Sequence, residues 1–188
     1  MSSVLPDDNE YYTYADFLEW DESVRAEIID GEVYMMASPT KEHQRIFRKI
    51  FTRLSNFLEG KTCEVFSAPF DVRLFPKSDL SDNTVVEPDI LVVCDPSKLD
   101  DRSCNGAPDL VIEILSPSNK AHDKKAKFQK YRMAGVREYW VVDPEEKYLE
   151  IHILDSGRYI TTVYDAADDA PDTVLPGCVI KLADVFSA

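Results

Sequence analysis

The chain has 188 residues, 44% hydrophobic and 30% charged, with 21 Lys and Arg against 35 Asp and Glu for a formal net charge of −14. That length suits one domain around one sizeable core, and the composition excludes a disordered chain. No apolar run reaches the roughly 20 residues that span a bilayer, so no membrane is expected as a partner, and so negative a balance argues against tight binding of nucleic acid by general phosphate neutralisation.

The opening stretch, MSSVLPDDNEYY, lacks the basic flank and apolar core of a signal peptide. A cytoplasmic protein is the expectation, with residues 1–11 a flexible lead into one domain that runs to residue 188. Cys63, Cys94, Cys104 and Cys178 form no close C-x-x-C pair, and the histidines at 43, 122 and 152 share no ligand spacing with them. A structural zinc site is not expected.

Thr13 predicts an N-cap before a short helix reaching about Trp20. AEIIDGEVYMMA follows, and Asp30-Gly31 between alternating apolar residues predicts a β-hairpin over 26–37, because a type I′ turn needs positive φ at both central positions. Ser38-Pro39-Thr40 opens a long helix in which Ile46, Ile50, Phe51, Leu54, Phe57 and Leu58 recur at helical spacing until Gly60. Strand signals at 63–75 surround Pro69, and strands at 85–94 and 108–115 follow, separated by a turn-rich acidic segment. A helix from about Ala121 to Ala134 closes at Gly135 and leads into the strand REYWVVD. Tyr148–Leu154 and Arg158–Tyr164 predict a hairpin around Ser156-Gly157, and a last strand near 173–181 precedes a terminal turn. This order predicts an α/β domain, a mixed β-sheet flanked by helices with additional antiparallel hairpins at its margins.

Two of these strands carry a carboxylate inside an oily run: VVEPDILVV holds Asp89 and PDLVIEIL holds Glu113. A lone ionised carboxylate in an apolar interior costs several kcal/mol, so such a group neutralises, finds a cation or binds a metal. Period-two alternation sets Asp109, Val111, Glu113 and Leu115 on one face, and Glu87, Asp89, Leu91 and Val93 together on the other strand. Pro88 cannot donate to a ladder and belongs at a strand end, edge or bulge. If the strands are neighbours, Asp89, Glu113 and a backbone carbonyl, that of Ile114, form an all-oxygen site suited to Mg²⁺ or Mn²⁺.

The same residues resemble the spaced PD...(D/E)XK pattern of the restriction-endonuclease-like superfamily. The wider run AEIIDGEV, SPTKEH, EPD, APDLVIEILSPS, D-x-x-x-K-x-x-x-Y and AGVREYWVVDP is similar to the Uma-type endonuclease family over roughly residues 12 to 186. The resemblance implies a restriction-endonuclease-like fold and a metal-dependent hydrolase of phosphodiester bonds in DNA, working as a homodimer. It implies Asp89 and Glu113 as metal ligands, Lys127 as the lysine of the motif, Glu27 as an additional acid, and His43 of SPTKEH beside the cleft. Leu115 departs from the pattern: it stands where the superfamily has lysine, which is why the role passes to Lys127.

Each of these residues also has a plainer reading. Asp89 can be a turn carboxylate beside a proline, Glu113 half of a buried ion pair with a lysine of 120–130, and Lys127 an i,i+4 partner of Asp123. Glu27 can be an exposed hairpin residue and His43 a packing or surface histidine. Tyr131, Tyr139 and Trp140 read as packing residues. Lys120, Lys124, Lys125, Lys127, Lys130 and Arg132 form either a basic face or a solvated helix surface. No G-x-S-x-G elbow surrounds Ser116, and the six glycines make no phosphate loop. The competing functions are a catalytically inactive binding module of the same fold, favoured by Leu115 and the acidic charge, and a metal-dependent hydrolase of a smaller phosphate ester.

Overall fold

A computed structural model describes residues 11–21, 23–116 and 123–187. The expected lead therefore falls, up to residue 10, outside the described residues, as do Lys120 and the first residues of the helix predicted from Ala121. In chain order the elements are α1 (Tyr14–Phe17), β1 (Ala26–Ile29), β2 (Glu32–Met35), α2 (Lys41–Leu58), β3 (Glu64–Ser67), β4 (Asp71–Arg73), β5 (Val85–Val86), β6 (Ile90–Val93), β7 (Ser103–Asn105) and β8 (Leu110–Ile114). After a π-helical turn at Asp123–Lys127 come α3 (Phe128–Ala134), β9 (Glu138–Asp143), β10 (Tyr148–Asp155), β11 (Arg158–Asp165), β12 (Asp169–Pro171), β13 (Val179–Lys181) and α4 (Leu182–Val185).

The strands form a six-stranded sheet in the order β11-β10-β9-β8-β6-β3, a five-stranded sheet in the order β2-β1-β5-β4-β7, and the ribbon β12-β13. Thr40 caps α2, its side chain accepting from the His43 amide, and the helix buries Ile46, Ile50, Leu54 and Leu58 along one stripe. That stripe packs on Ile90, Val92, Leu110, Ile112 and Ile114, one face of the six-stranded sheet. Burying each such side chain contributes about 1.5–3 kcal/mol, which explains why the helical period wins here over any local preference. The alternate residues Leu91, Val93, Val111 and Leu115 turn to the opposite face, where they meet Tyr131, Val136 and Tyr139. The predicted α/β architecture is thus present, with sheets flanked by helices and antiparallel hairpins.

The structure departs from the sequence reading at Pro88. The predicted strand 85–94 is two strands in different sheets, β5 and β6, with Glu87-Pro88-Asp89 between them. The strand signals at 63–75, read as interrupted by Pro69, are indeed two strands, β3 and β4, in different sheets. Proline cannot supply a ladder hydrogen bond, so the chain leaves one sheet and enters the other at these points. The strand expected near 173–181 shortens to β13, whose partner β12 was not foreseen, and β7 arises inside the supposed turn segment, parallel to β4. α1 stops at Phe17 rather than Trp20.

The Asp30-Gly31 hairpin forms as predicted, with φ of 55° and 86°. Gly135 ends α3 in the left-handed region. Cys63 and Cys94, which form no close C-x-x-C pair in the sequence, form a disulfide one step beyond the Glu64↔Val93 pair of the β3–β6 ladder. No helix among the described residues is long and apolar enough to cross a membrane.

Candidate active site

β6 and β8 are antiparallel neighbours with Ile90 opposite Ile112. Continuing that register by one residue sets Asp89 opposite Glu113, a spacing of about 5 Å between backbones. Asp89 enters from the Pro88 crossing, and its Oδ2 accepts from the Ile114 amide at 2.7 Å. His43 Nε2 lies 3.2 Å from the same oxygen. Both partners fall on Oδ2, which leaves Oδ1 without a hydrogen-bond donor among the described residues. In an extended strand the N–H and C=O of one residue point to the same neighbour, so the Ile114 carbonyl also faces the β6 edge.

Glu113 Oε1 accepts from Lys127 Nζ at 3.0 Å and from the Tyr131 hydroxyl at 2.6 Å. Lys127 Nζ stands 2.8 Å from Glu27 Oε1 as well, and that oxygen accepts from the Glu87 amide at 2.8 Å. Glu87 in turn holds Arg25 at 2.8 Å. Glu27, Glu113 and Lys127 are 4%, 3% and 2% exposed, so one ammonium sits between two buried carboxylates. Burial, and then the charge of Glu113, push the Tyr131 phenol well above its ordinary value, so it remains a neutral donor to that carboxylate.

Glu27, His43, Glu87, Asp89, Glu113 and Lys127 line one cleft of about 290 Å³ between the sheets. All five predicted side chains come together here. Glu27 is buried rather than an exposed hairpin residue, and His43 touches Asp89 rather than solvent. Glu113 does form the ion pair with a lysine that its plainer reading required, yet it forms it inside the cleft; the Asp123 side chain lies outside the described residues. Lys130, from the basic segment, pairs with Asp30 at 2.5 Å.

Tyr131 was read as packing alone. The spacing D-x-x-x-K-x-x-x-Y carried the missing signal, since residues 127 and 131 share a helix face. Arg25 and Glu87 had no signal beyond the EPD motif.

The described residues contain no cluster of three or more His, Cys, Asp or Glu side chains arranged to hold a metal ion. An ion at this cleft would rest on Asp89 Oδ1, the Glu113 carboxylate, a backbone carbonyl and water. Such an all-oxygen donor set matches a hard divalent cation. The excess of carboxylates over cations around Lys127 supplies the negative field that such an ion needs.

Two Synechocystis sp. proteins of uncharacterized function are each 29% identical: slr1290 over 157 residues, 81% of this chain and 80% of its own, and sll1609 over 136 residues, 70% and 74%. The crystal structure of an Anabaena variabilis protein titled "putative nuclease belonging to DUF820" superposes with a TM-score of 0.76 at 19% identity, covering 93% of this chain and 97% of that one. That likeness establishes a shared fold. Residues 14–183 match the Uma2 model, described as "Putative restriction endonuclease", and the chain therefore belongs to the Uma2 family.

Proposed function

We propose that the protein is a divalent-metal-dependent endonuclease that hydrolyses phosphodiester bonds in DNA, with Asp89 and Glu113 as metal ligands and Lys127 beside the attacking water. The observation that carries this reading is the approach of Asp89 and Glu113 from adjoining strands into one cleft, with Lys127 3.0 Å from Glu113. A bound Mg²⁺ or Mn²⁺ would acidify water and offset charge on the phosphoryl oxygens.

The protein's own groups then have separate tasks. The Ile114 amide and His43 hold Asp89 by Oδ2, so that Oδ1 would be the oxygen offered to a divalent ion. Tyr131 and Lys127 fix the rotamer of Glu113. The Lys127 ammonium, held by Glu27 on its far side, orients the incoming water and offsets the negative charge that builds at phosphorus. A homodimer would give each strand of a duplex its own cleft.

The test is cleavage of supercoiled plasmid by the purified protein with Mn²⁺ or Mg²⁺. Wild type is expected to nick and linearise it. Asp89→Ala and Glu113→Ala are each expected to lose at least about a hundredfold in rate, the scale seen when one preorganised electrostatic group is removed. Cleavage that survives in both variants, or a wild type that never cuts, rejects the proposal.

A further inference from the structure

The cleft is acidic and the chain carries a net charge of −14, so a nuclease reading needs a surface that accepts a polyanion. The segment 120–132 does not supply it in full, because Lys127 is buried between two acids and Lys130 is paired with Asp30. α2 does. Its 18 residues hold Lys41, Arg45, Arg48, Lys49 and Arg53 against a single acid, Glu42.

At 100° per residue Lys41, Arg45 and Arg48 lie opposite the buried stripe of Ile46, Ile50 and Leu54, Lys49 stands to one side of it, and Arg53 flanks it beside Ile46. Lys41, Arg48 and Arg53 are exposed. Arg45 pairs with Glu42 at 3.3 Å. Lys49 ties down the carbonyls of Val185 and Ser187, and Arg53 donates to the Val179 carbonyl. Among the described residues no carboxylate neutralises Lys41, Arg48 or Arg53. At its far end the stripe meets Lys181 in a groove of about 570 Å³ between α2 and the β13–α4 segment, where Asp184 is the one acid in the lining.

The stripe is continuous with the cleft. His43, Gln44 and Phe47 of the same helix line the cleft, and Gln44 and Arg48 are i,i+4 neighbours on its surface. From Lys41 to Arg53 the helix rises about 18 Å, the length of roughly five base steps of a duplex.

We infer that Lys41 and Arg48 on the solvent face of α2, with Arg53 and Lys181 in the adjoining groove, form the track for the phosphate backbone of a DNA duplex whose scissile bond enters the Asp89 cleft. This deepens the nuclease reading and rests on it for the identity of the polyanion. The acidic remainder of the surface repels the duplex elsewhere and so confines it to this face.

The test reads binding and not cutting. Fluorescence anisotropy of a short labelled DNA duplex is followed across a salt series with the full-length protein in chelator, comparing wild type with Lys41→Glu/Arg48→Glu. Neither residue makes a hydrogen bond or ion pair among the described residues, and matching thermal melts check the fold. Wild type is expected to bind at low salt, with the variant roughly tenfold or more weaker and its slope of log K against log salt shallower by about 2. Ser55→Ala, a neutral exposed residue of the same helix that lines neither the cleft nor the groove, is expected to keep the wild-type slope.

A variant with the affinity and slope of wild type overturns the inference, as does a wild type that binds no duplex at the lowest salt. Should the variant melt early, the milder Lys41→Gln/Arg48→Gln loses the same two phosphate contacts and is expected to move the slope by about 2 as well, and an unmoved slope again overturns it. Because no metal is present, a failure of the cleavage proposal leaves this measurement readable by itself: a protein that binds with this charge dependence and never cuts refutes only the active site.

Discussion

Lys127 is the residue on which the cleft turns. It is 2% exposed and within 3.0 Å of two buried carboxylates, so its removal costs far more than a surface ion pair would. Lys127→Met leaves Glu27 and Glu113 facing each other without a cation, and we expect unfolding free energy to fall by about 3–5 kcal/mol in urea titrations. The double variant Lys127→Met/Glu113→Gln is expected to regain part of that loss, because one of the two stranded charges is gone. Single-variant losses that simply add would contradict this.

The sequence showed these residues unevenly. Asp89 and Glu113 announced themselves because a carboxylate in an apolar run demands a partner. Lys127 and Glu27 were legible only through their likeness to a family, since nothing local distinguishes a lysine in a lysine-rich stretch. Tyr131 packs in the core as read, and only the bond from its hydroxyl to Glu113 was missed, because an aromatic at helical spacing usually packs.

At the scale of elements, α2 performs two tasks. Its cap positions His43 against Asp89 while its buried stripe anchors the six-stranded sheet. Thr40→Ala removes the acceptor for the His43 amide and is expected to cost about 1 kcal/mol in denaturant unfolding. α2 and the Asp30-Gly31 hairpin were readable because period and turn chemistry agree locally. β5 and β6 were not, since a continuous apolar run looks alike whether it crosses one sheet or passes between two, and only Pro88 marked the change. Two-residue β5 and three-residue β4 and β7 are too short for any pattern to show; they exist because partners found elsewhere in the chain pair with them.

At the scale of the whole molecule, two further acids are held with raised proton affinity, Asp172 away from the cleft and Asp71 behind Glu87. Asp172 is pushed up to about 7 by burial and by Glu138 beside it, and Glu138 accepts from Trp140, Val174 and both the amide and the hydroxyl of Thr173. Asp71 is likewise raised to about 7 by burial, then by Glu87 and Asp100. Both hold a proton in the folded state that the unfolded chain has already released above its ordinary value near 4. The folded state therefore binds more protons across the interval from about 4 to about 7, and stability falls as pH rises through it. Melting temperature is expected to drop between about pH 5 and about pH 8, with a smaller drop in Asp172→Asn. A variant that tracks wild type across the interval would remove Asp172 from the account.

The ammonium of Lys127 joins Glu27, which belongs to the five-stranded sheet, to Glu113, which belongs to the six-stranded one. It is a rivet through the seam where the two layers meet, and the same rivet floors the cleft. It works beside an apolar seam in which Ile29, Val72 and Val86 of one layer meet Leu91, Val93 and Val111 of the other. A different side chain at this position strands two acids drawn from different layers, so architecture and chemistry are tied to the same atom there.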